Sequence, residues 1–120
     1  MSDDLSHTQS MIIVFAMAGC PACEEYKPRF EKMVAGFQRH GVPIVYHVHG
    51  RAIARGTIPL LIVDAASENP SVVSLADQYG VSGLPSTLLL TRRGRPVRLE
   101  GAVDDQQIYD LLAAASQANR

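Results

Sequence analysis

The sequence predicts an α/β fold in which helices cover a central mixed β-sheet. Two observations support this fold class. Apolar, β-branched runs of strand length alternate along the chain with segments whose apolar residues recur at helical spacing. The last two predicted strands are joined by a short turn, so we expect them to form an antiparallel pair.

The first predicted strand is Met11 to Ala16, a continuous apolar run typical of a strand that is buried on both faces. Residues 1–10 are predicted to form a flexible N-terminus, which leaves 11–118 as one domain. The apolar run also resembles the core of a signal peptide. The segment before it contains Asp3 and Asp4 but no Lys or Arg, which argues against that interpretation because signal peptides begin with positive charge.

The first predicted helix begins at Pro21 and ends at Gly41. Proline suits the first helical position because its missing N–H has no partner there, and Cys20 then becomes the N-cap residue. Pro28 lies inside the helix and is expected to bend it. One apolar stripe at helical spacing is expected to face the core. It is formed by Tyr26, Phe30, Met33, Val34 and Phe37.

Two further strands are predicted, from Val42 to His49 and from Ile58 to Asp64. The connection between them, 50–56, is short for a parallel crossover. We therefore expect these two strands to form a hairpin.

The next predicted elements are a helix and a hairpin. The helix starts at Asn69 and runs through Tyr79, and Gly80 ends it. The strands of the hairpin are Thr87 to Thr91 and Val97 to Glu100. The basic residues of this hairpin are expected to lie in solvent, and they are Arg92, Arg93, Arg95 and Arg98.

The last predicted helix begins after Asp104, which is expected to be its N-cap residue. Gln107, three residues further on, is the partner that a capping box requires. The apolar residues expected on the buried face of this helix are Ile108, Leu111, Leu112 and Ala115.

Composition limits the classes of function. Hydrophobic residues make up 47% of the chain and charged residues 19%, which indicates a globular protein. The net charge of −1 gives no electrostatic reason to expect binding to nucleic acid or to a membrane surface. Only two cysteines are present, so the chain is not a disulfide-stapled secreted scaffold, and we expect a reducing, cytoplasmic setting.

The two cysteines form the motif Cys20-Pro21-Ala22-Cys23. At an N-cap, Cys20 meets free backbone N–H groups and the positive end of the helix dipole, which stabilise a thiolate. We expect only a moderate lowering of the pKa of Cys20, because Glu24 follows the motif and no cation is adjacent to it. Cys20 is therefore predicted to attack a substrate disulfide, and the more buried Cys23 to resolve the mixed disulfide. Two merely structural thiols are the alternative.

A metal site is a second alternative for the cysteines. His47 and His49 alternate on one predicted strand, and together with Cys20 and Cys23 they would form a nominal zinc set. Nothing in the sequence places these histidines near the cysteines. We therefore expect no metal and no bound cofactor, with the histidines on a solvated strand face.

The order of these motifs resembles the thioredoxin family. The cysteine motif follows a buried strand, Pro28 falls five residues after Cys23, and a Gly83-Leu84-Pro85 loop precedes an apolar strand and a terminal hairpin. The resemblance implies a thioredoxin-like three-layer fold with a central mixed sheet flanked by helices. It also implies a cis peptide bond before Pro85, which would let the backbone of Leu84 pair with a substrate peptide.

The chain departs from the family pattern at several positions. Val14 stands where the family has a buried carboxylate, and Leu60 falls near the position of its lysine partner. Pro21 follows the first cysteine, as it does in glutaredoxins. Two alternatives therefore stay open: a glutathione-dependent, glutaredoxin-like enzyme, and a non-enzymatic binding or metal module.

The predicted function is the reduction of protein disulfides by a dithiol–disulfide oxidoreductase. Cys20 and Cys23 are the predicted catalytic residues, and Leu84, Pro85, Pro21 and Ala22 are the predicted substrate-binding residues. The expected partners are disulfide-containing proteins and a reductase or small-thiol donor. No contact with nucleic acid or membrane is expected, and the protein is expected to be a monomer.

Overall fold

The computed structural model describes residues 9–48, 50–92 and 94–119. Its elements are β1 (Ser10–Ala16), α1 (Pro21–Arg39), β2 (Ile44–Tyr46), β3 (Ile58–Asp64), α2 (Pro70–Gln78), β4 (Ser86–Thr91), β5 (Val97–Glu100) and α3 (Asp105–Ala118). The predicted flexible segment 1–10 is wrong at its end, because Ser10 is buried in β1 and donates a hydrogen bond to the carbonyl of Ala115 at 3.1 Å. Residues 1–8 lie outside the described residues.

The five strands form one sheet in the order β2-β3-β1-β4-β5. Strand β1 pairs parallel to β3 and antiparallel to β4, so it occupies the centre of the sheet. Strands β4 and β5 are antiparallel and form the predicted hairpin. The α/β class with a mixed sheet is therefore confirmed.

The predicted hairpin between the second and third strands is wrong, because β2 pairs parallel to β3. The predicted strand 42–49 is also too long, since β2 contains three residues, and its predicted last residue, His49, lies outside the described residues. Three residues of strand span only about 10 Å. The connection 47–57 reaches at most about 40 Å when extended, so without a helix it can run back to the start of β3, which lies beside the start of β2.

Helices α1 and α3 cover one face of the sheet, and α2 covers the other, which makes three layers. The larger core contains strand residues such as Ile12 and Leu60 together with the apolar stripes of α1 and α3. Ile13, Phe15 and Leu88 form the smaller core beneath α2. No helix within the described ranges has the length and apolar content required to cross a membrane.

Local sequence signals set the helix ends. Asn69 caps α2 by accepting a hydrogen bond from the N–H of Ser71 at 2.9 Å, and Asp104 caps α3 by accepting one from the N–H of Gln107 at 2.9 Å. Helix α1 continues through Pro28 to Arg39. These ends confirm the three predicted helices to within two residues.

Candidate active site

The cysteine motif lies where β1 ends and α1 begins. A loop of four residues, 17–20, joins them, and Gly19 adopts a φ of +79° there, a conformation that favours glycine. The backbone N–H of Cys20 donates to the carbonyl of Met17 at 3.3 Å. Cys20 has the extended backbone of an N-cap residue, and Pro21 occupies the start of the helix, as predicted.

Cys20 and Cys23 are joined by a disulfide, with their Cα atoms 5.2 Å apart. The two sulfurs differ in their surroundings. Cys23 is 1% exposed, whereas Cys20 is half-buried and its Sγ accepts a hydrogen bond from the N–H of Cys23 at 3.2 Å. Pro21 and Ala22, between them, are exposed. An incoming sulfur can therefore reach Cys20, while Cys23 is sheltered behind it.

The loop that contains Leu84 and Pro85 lies at the same end of the sheet as the cysteine motif. Phe15, near the end of β1, pairs with Ser86 at the start of the antiparallel strand β4, so the loop before β4 and the loop after β1 leave the sheet together. The Leu84–Pro85 peptide bond is cis. The carbonyl of Pro85 accepts a hydrogen bond from the N–H of Gly101 at 2.7 Å.

The backbone of Leu84 is available for pairing. Its N–H and C=O make no hydrogen bond to any residue in 9–48, 50–92 or 94–119, and its side chain is half-buried. An extended peptide that lies across the loop would satisfy both groups, as strands do at a sheet edge.

A cavity of about 420 Å³ borders Cys23, although Cys23 itself is only 1% exposed. Cys23 forms part of its wall, and three charged residues line it: Glu24 and Lys27 from α1, and Asp64 from the end of β3. Apolar side chains of the loop and of β3, among them Met17 and Ile62, complete the lining.

Val14 and Leu60 are both in the larger core, at 1% and 0% exposure. A buried hydroxyl pair lies next to Val14: the Tyr26 hydroxyl is 2.7 Å from the Thr87 hydroxyl, and Thr87 pairs with Val14 across the sheet. Burial raises the pKa of Tyr26. Sequence reasoning treated Tyr26 only as an apolar core residue. The signal it missed was a phenol on a buried stripe, because a buried hydroxyl needs a partner.

Two further expectations from the sequence concern the nominal zinc set and Arg98. Among the described residues, no group of three or more His, Cys, Asp and Glu side chains could hold a metal ion, and His49 of the nominal zinc set lies outside them. Arg98 is exposed, as expected, but its guanidinium also donates to the carbonyls of Tyr79 and Gly80. Backbone acceptors leave no mark in the sequence, so no sequence signal predicted this contact.

The fold and the cysteine pair define a class of protein. The family model for the thioredoxin-like domain matches residues 5–116, and the chain belongs to this family. The Cys20–Cys23 pair, at disulfide distance, fits the CxxC site of this family.

Individual relatives agree with this assignment. The chain is 26% identical over 110 residues to protein disulfide-isomerase A4 of Bos taurus, and the match covers 92% of this chain and 14% of that protein. It is 25% identical over 103 residues to the thiol-disulfide oxidoreductase ResA of Halalkalibacterium halodurans, covering 78% and 54%. The chain thus spans about half the length of ResA and a much smaller part of protein disulfide-isomerase A4.

A solved structure of thioredoxin-2, described as a component of the malaria parasite protein secretion machinery, superposes with a TM-score of 0.58. The identity is 22%, and the match covers 88% of this chain and 82% of that one. This likeness confirms the fold.

Proposed function

We propose that the protein is a dithiol–disulfide oxidoreductase that reduces disulfides in protein substrates. The observation that carries the proposal is the asymmetry of the cysteine pair: Cys20 is accessible at a helix N-cap, and Cys23 is buried directly behind it. An attacking thiol must be reachable and stabilised as a thiolate, whereas a resolving thiol needs only to reach its neighbour.

The reaction begins with the reduced pair. The Cys20 thiolate attacks one sulfur of a substrate disulfide, forms a mixed disulfide and expels the other substrate sulfur as a thiolate. Cys23 loses its proton and attacks Cys20 Sγ. This step forms the Cys20–Cys23 disulfide and releases the second substrate thiolate, so the substrate gains two electrons. A reductase or small-thiol donor restores the dithiol.

Leu84 and Pro85 are proposed to bind the substrate, and Pro21 and Ala22 to border it. The free backbone groups of Leu84 support this role, because a substrate segment in extended conformation would complete their hydrogen bonds. Such pairing would hold the substrate cysteine over the cysteine motif. A cytoplasmic location and a monomeric state belong to the same proposal.

Trapping of mixed disulfides tests the cysteine roles. Cys23→Ser keeps the attacking thiol and removes the resolving one, so it should accumulate mixed disulfides with protein substrates. Cys20→Ser should accumulate almost none, because Cys23 is sheltered. Equal trapping by the two variants would show that the assignment is wrong, and the double variant is the background control.

An insulin reduction assay tests the activity itself. With dithiothreitol as donor, the parent protein should accelerate insulin precipitation, and either cysteine variant should not. The same assay with glutathione as donor tests the glutathione-dependent alternative. Activity with glutathione alone would favour the glutaredoxin-like interpretation, and no activity with either donor would contradict the proposed function.

A further inference from the structure

Helix α2 is held to the sheet differently from the other two helices. It covers Ile13, Phe15 and Leu88, yet none of its own residues is fully buried. The loop with Leu84 and Pro85 starts directly after its last turn. Packing alone therefore fixes the beginning of this loop less firmly than it fixes the cysteine motif.

Arg98 of β5 supplies the missing attachment. It pairs with Leu88 of β4 across the sheet. Its Nη1 donates to the carbonyl of Tyr79 at 2.9 Å and to that of Gly80 at 2.7 Å. Its Nη2 lies 3.1 Å from a carboxylate oxygen of Glu100, which holds the guanidinium in place. A cation on the last carbonyls of a helix is also favoured by the helix dipole.

The end of α2 leaves room for this guanidinium. Gly80 has a φ of +65°, and a Cβ placed on it would lie 2.9 Å from Nη1 of Arg98. Any side chain at this position would therefore strain the backbone and displace the guanidinium.

The remainder of the loop is tied to the same part of the molecule. The Ser86 hydroxyl donates to the carbonyl of Gly83 at 2.6 Å, and the N–H of Gly101, which follows β5, donates to the carbonyl of Pro85 at 2.7 Å. Strand β5 and the glycine after it thus hold both ends of the segment 79–85. Arg98 is the one side chain in this set that reaches from β5 to α2.

We propose that Arg98 is a positioning residue that fixes the backbone of Leu84 for pairing with a protein substrate. This inference rests on the proposed function. The inference does not require any change in the reactivity of Cys20, because Arg98 contacts the loop and not the cysteine motif. Arg98 therefore affects the capture of a polypeptide, and not the intrinsic reactivity of the thiolate.

Two substrates separate these effects. Reduction of insulin requires the polypeptide to lie across the Leu84 loop, whereas a small aromatic disulfide, 5,5′-dithiobis(2-nitrobenzoate), reacts with the Cys20 thiolate alone. Arg98→Gln should lower kcat/KM for insulin about tenfold, mainly through a higher KM. Its rate with the small disulfide should stay within about twofold of the parent rate.

Arg98→Lys and Arg95→Gln are the matched variants. A lysine can donate to the two carbonyls but lacks the planar fork that also reaches Glu100, so Arg98→Lys should recover part of the insulin activity. Arg95 lies exposed in the same hairpin and makes no hydrogen bond or ion pair within the described parts of the chain, so Arg95→Gln should match the parent.

Amide hydrogen exchange of residues 79–81, whose N–H groups are hydrogen-bonded, gives a readout in the oxidised protein that does not depend on activity. Exchange should be faster in Arg98→Gln than in the parent, and unchanged in Arg95→Gln. If Arg98→Gln does not fold, Arg98→Lys should still show an intermediate exchange rate and an intermediate KM.

Three results would overturn the inference. They are unchanged insulin kinetics in Arg98→Gln, an equal loss with both substrates, and unchanged exchange in residues 79–81. A parent protein that reduces no insulin would contradict the proposed function, and with it the substrate role given to Arg98. Hydrogen exchange would then still decide whether Arg98 fixes the loop.

Discussion

The two faces of the sheet are covered in different ways. On one face, α1 and α3 each bury four residues completely, and the larger core lies between these helices and the strands. On the other face, α2 buries none completely, and the fully buried residues beneath it are Ile13, Phe15 and Leu88. The cysteine motif belongs to the first face, because it forms the start of α1. The Leu84–Pro85 loop follows the helix of the second face.

Under the proposed function, this difference separates chemical reactivity from substrate capture. The geometry between the two sulfurs depends on α1, which is held by a continuous core. The geometry of the Leu84–Pro85 loop, which is the proposed substrate loop, depends on two hydrogen bonds from Arg98 and one each from Ser86 and Gly101. Weakly packed elements open locally at low free energy, so we expect the proposed substrate loop to change its conformation more easily than the cysteine pair does.

Val14→Asp places a carboxyl in the better packed face and should give the largest loss of stability. Val14 is 1% exposed and has only apolar neighbours on its side of the core, apart from the Tyr26–Thr87 hydroxyl pair. We expect the free energy of unfolding to fall by about 4 kcal/mol at pH 7, because burial disfavours the charged form. Urea unfolding measures this loss.

The pH dependence of this variant follows from the raised pKa of the introduced carboxyl. A group whose folded pKa is raised contributes most below its unfolded pKa of about 4, and that contribution is lost as the pH rises through the folded value. The deficit should therefore be smallest near pH 4 and grow towards pH 7. Val14→Asp combined with Leu60→Lys should recover part of the stability at pH 7. A single variant as stable as the parent would show that position 14 tolerates charge.

Two leucines test the comparison between the faces directly. Leu112 of α3 is 0% exposed, whereas Leu75 of α2 is half-buried. Truncating Leu112 to alanine should cost about 3 kcal/mol, since it leaves a cavity in the larger core. The same truncation at Leu75 should cost about 1 kcal/mol. Equal losses in urea unfolding would mean that the two faces contribute alike and that the comparison fails.

The sequence predicts most of this fold because most of its signals are local. The strand Ile58–Asp64 and the N-caps Cys20, Asn69 and Asp104 are recognisable from neighbouring residues, and the structure has them at the predicted positions. The direction of β2 was not predictable in this way. It depends on the path of the connection 47–57, whose composition does not specify which end of β3 it meets.

In the candidate site, too, the local features were predictable and the long-range contacts were not. The spacing of Cys20 and Cys23 is visible in the sequence, so the reacting pair could be proposed from four residues. The contacts that support it join distant parts of the chain: Tyr26 with Thr87, and Arg98 with the carbonyl of Gly80. One of these acceptors is a backbone carbonyl, which every residue possesses. Only the folded chain reveals which carbonyl lies within reach.

Tyr26→Phe tests the polar contact inside the larger core. It removes one partner of a buried 2.7 Å hydrogen bond and leaves the Thr87 hydroxyl unsatisfied, so it should cost about 1.5 kcal/mol. Combining it with Thr87→Val should return part of that loss.

The raised pKa of Tyr26 adds a pH signature. Its neutral form is favoured in the folded protein, so its contribution is full below the unfolded value of about 10 and is lost as the pH rises through the raised folded value. The stability of the parent should therefore decline more steeply above pH 10 than that of Tyr26→Phe. Parallel stability curves for the two proteins above pH 10 would contradict the burial of the phenol.

Replacing the N-cap residues should change stability least. These replacements test whether a loss of stability stays within one helix or affects the whole fold. Asn69 and Asp104 make equivalent N-cap hydrogen bonds, each at 2.9 Å, to α2 and α3. Replacing either by alanine should cost the capped helix about 1 kcal/mol. For Asp104→Ala this loss should appear in global unfolding, because α3 is part of the larger core. For Asn69→Ala it should appear mainly as faster amide exchange in the first turn of α2.

Insulin reduction by Asn69→Ala should remain at the parent level, since Arg98 holds the opposite end of the helix, where the Leu84 loop begins. A fall in insulin activity as large as that of Arg98→Gln would mean that α2 moves as a rigid unit and that the loop is positioned by the whole helix.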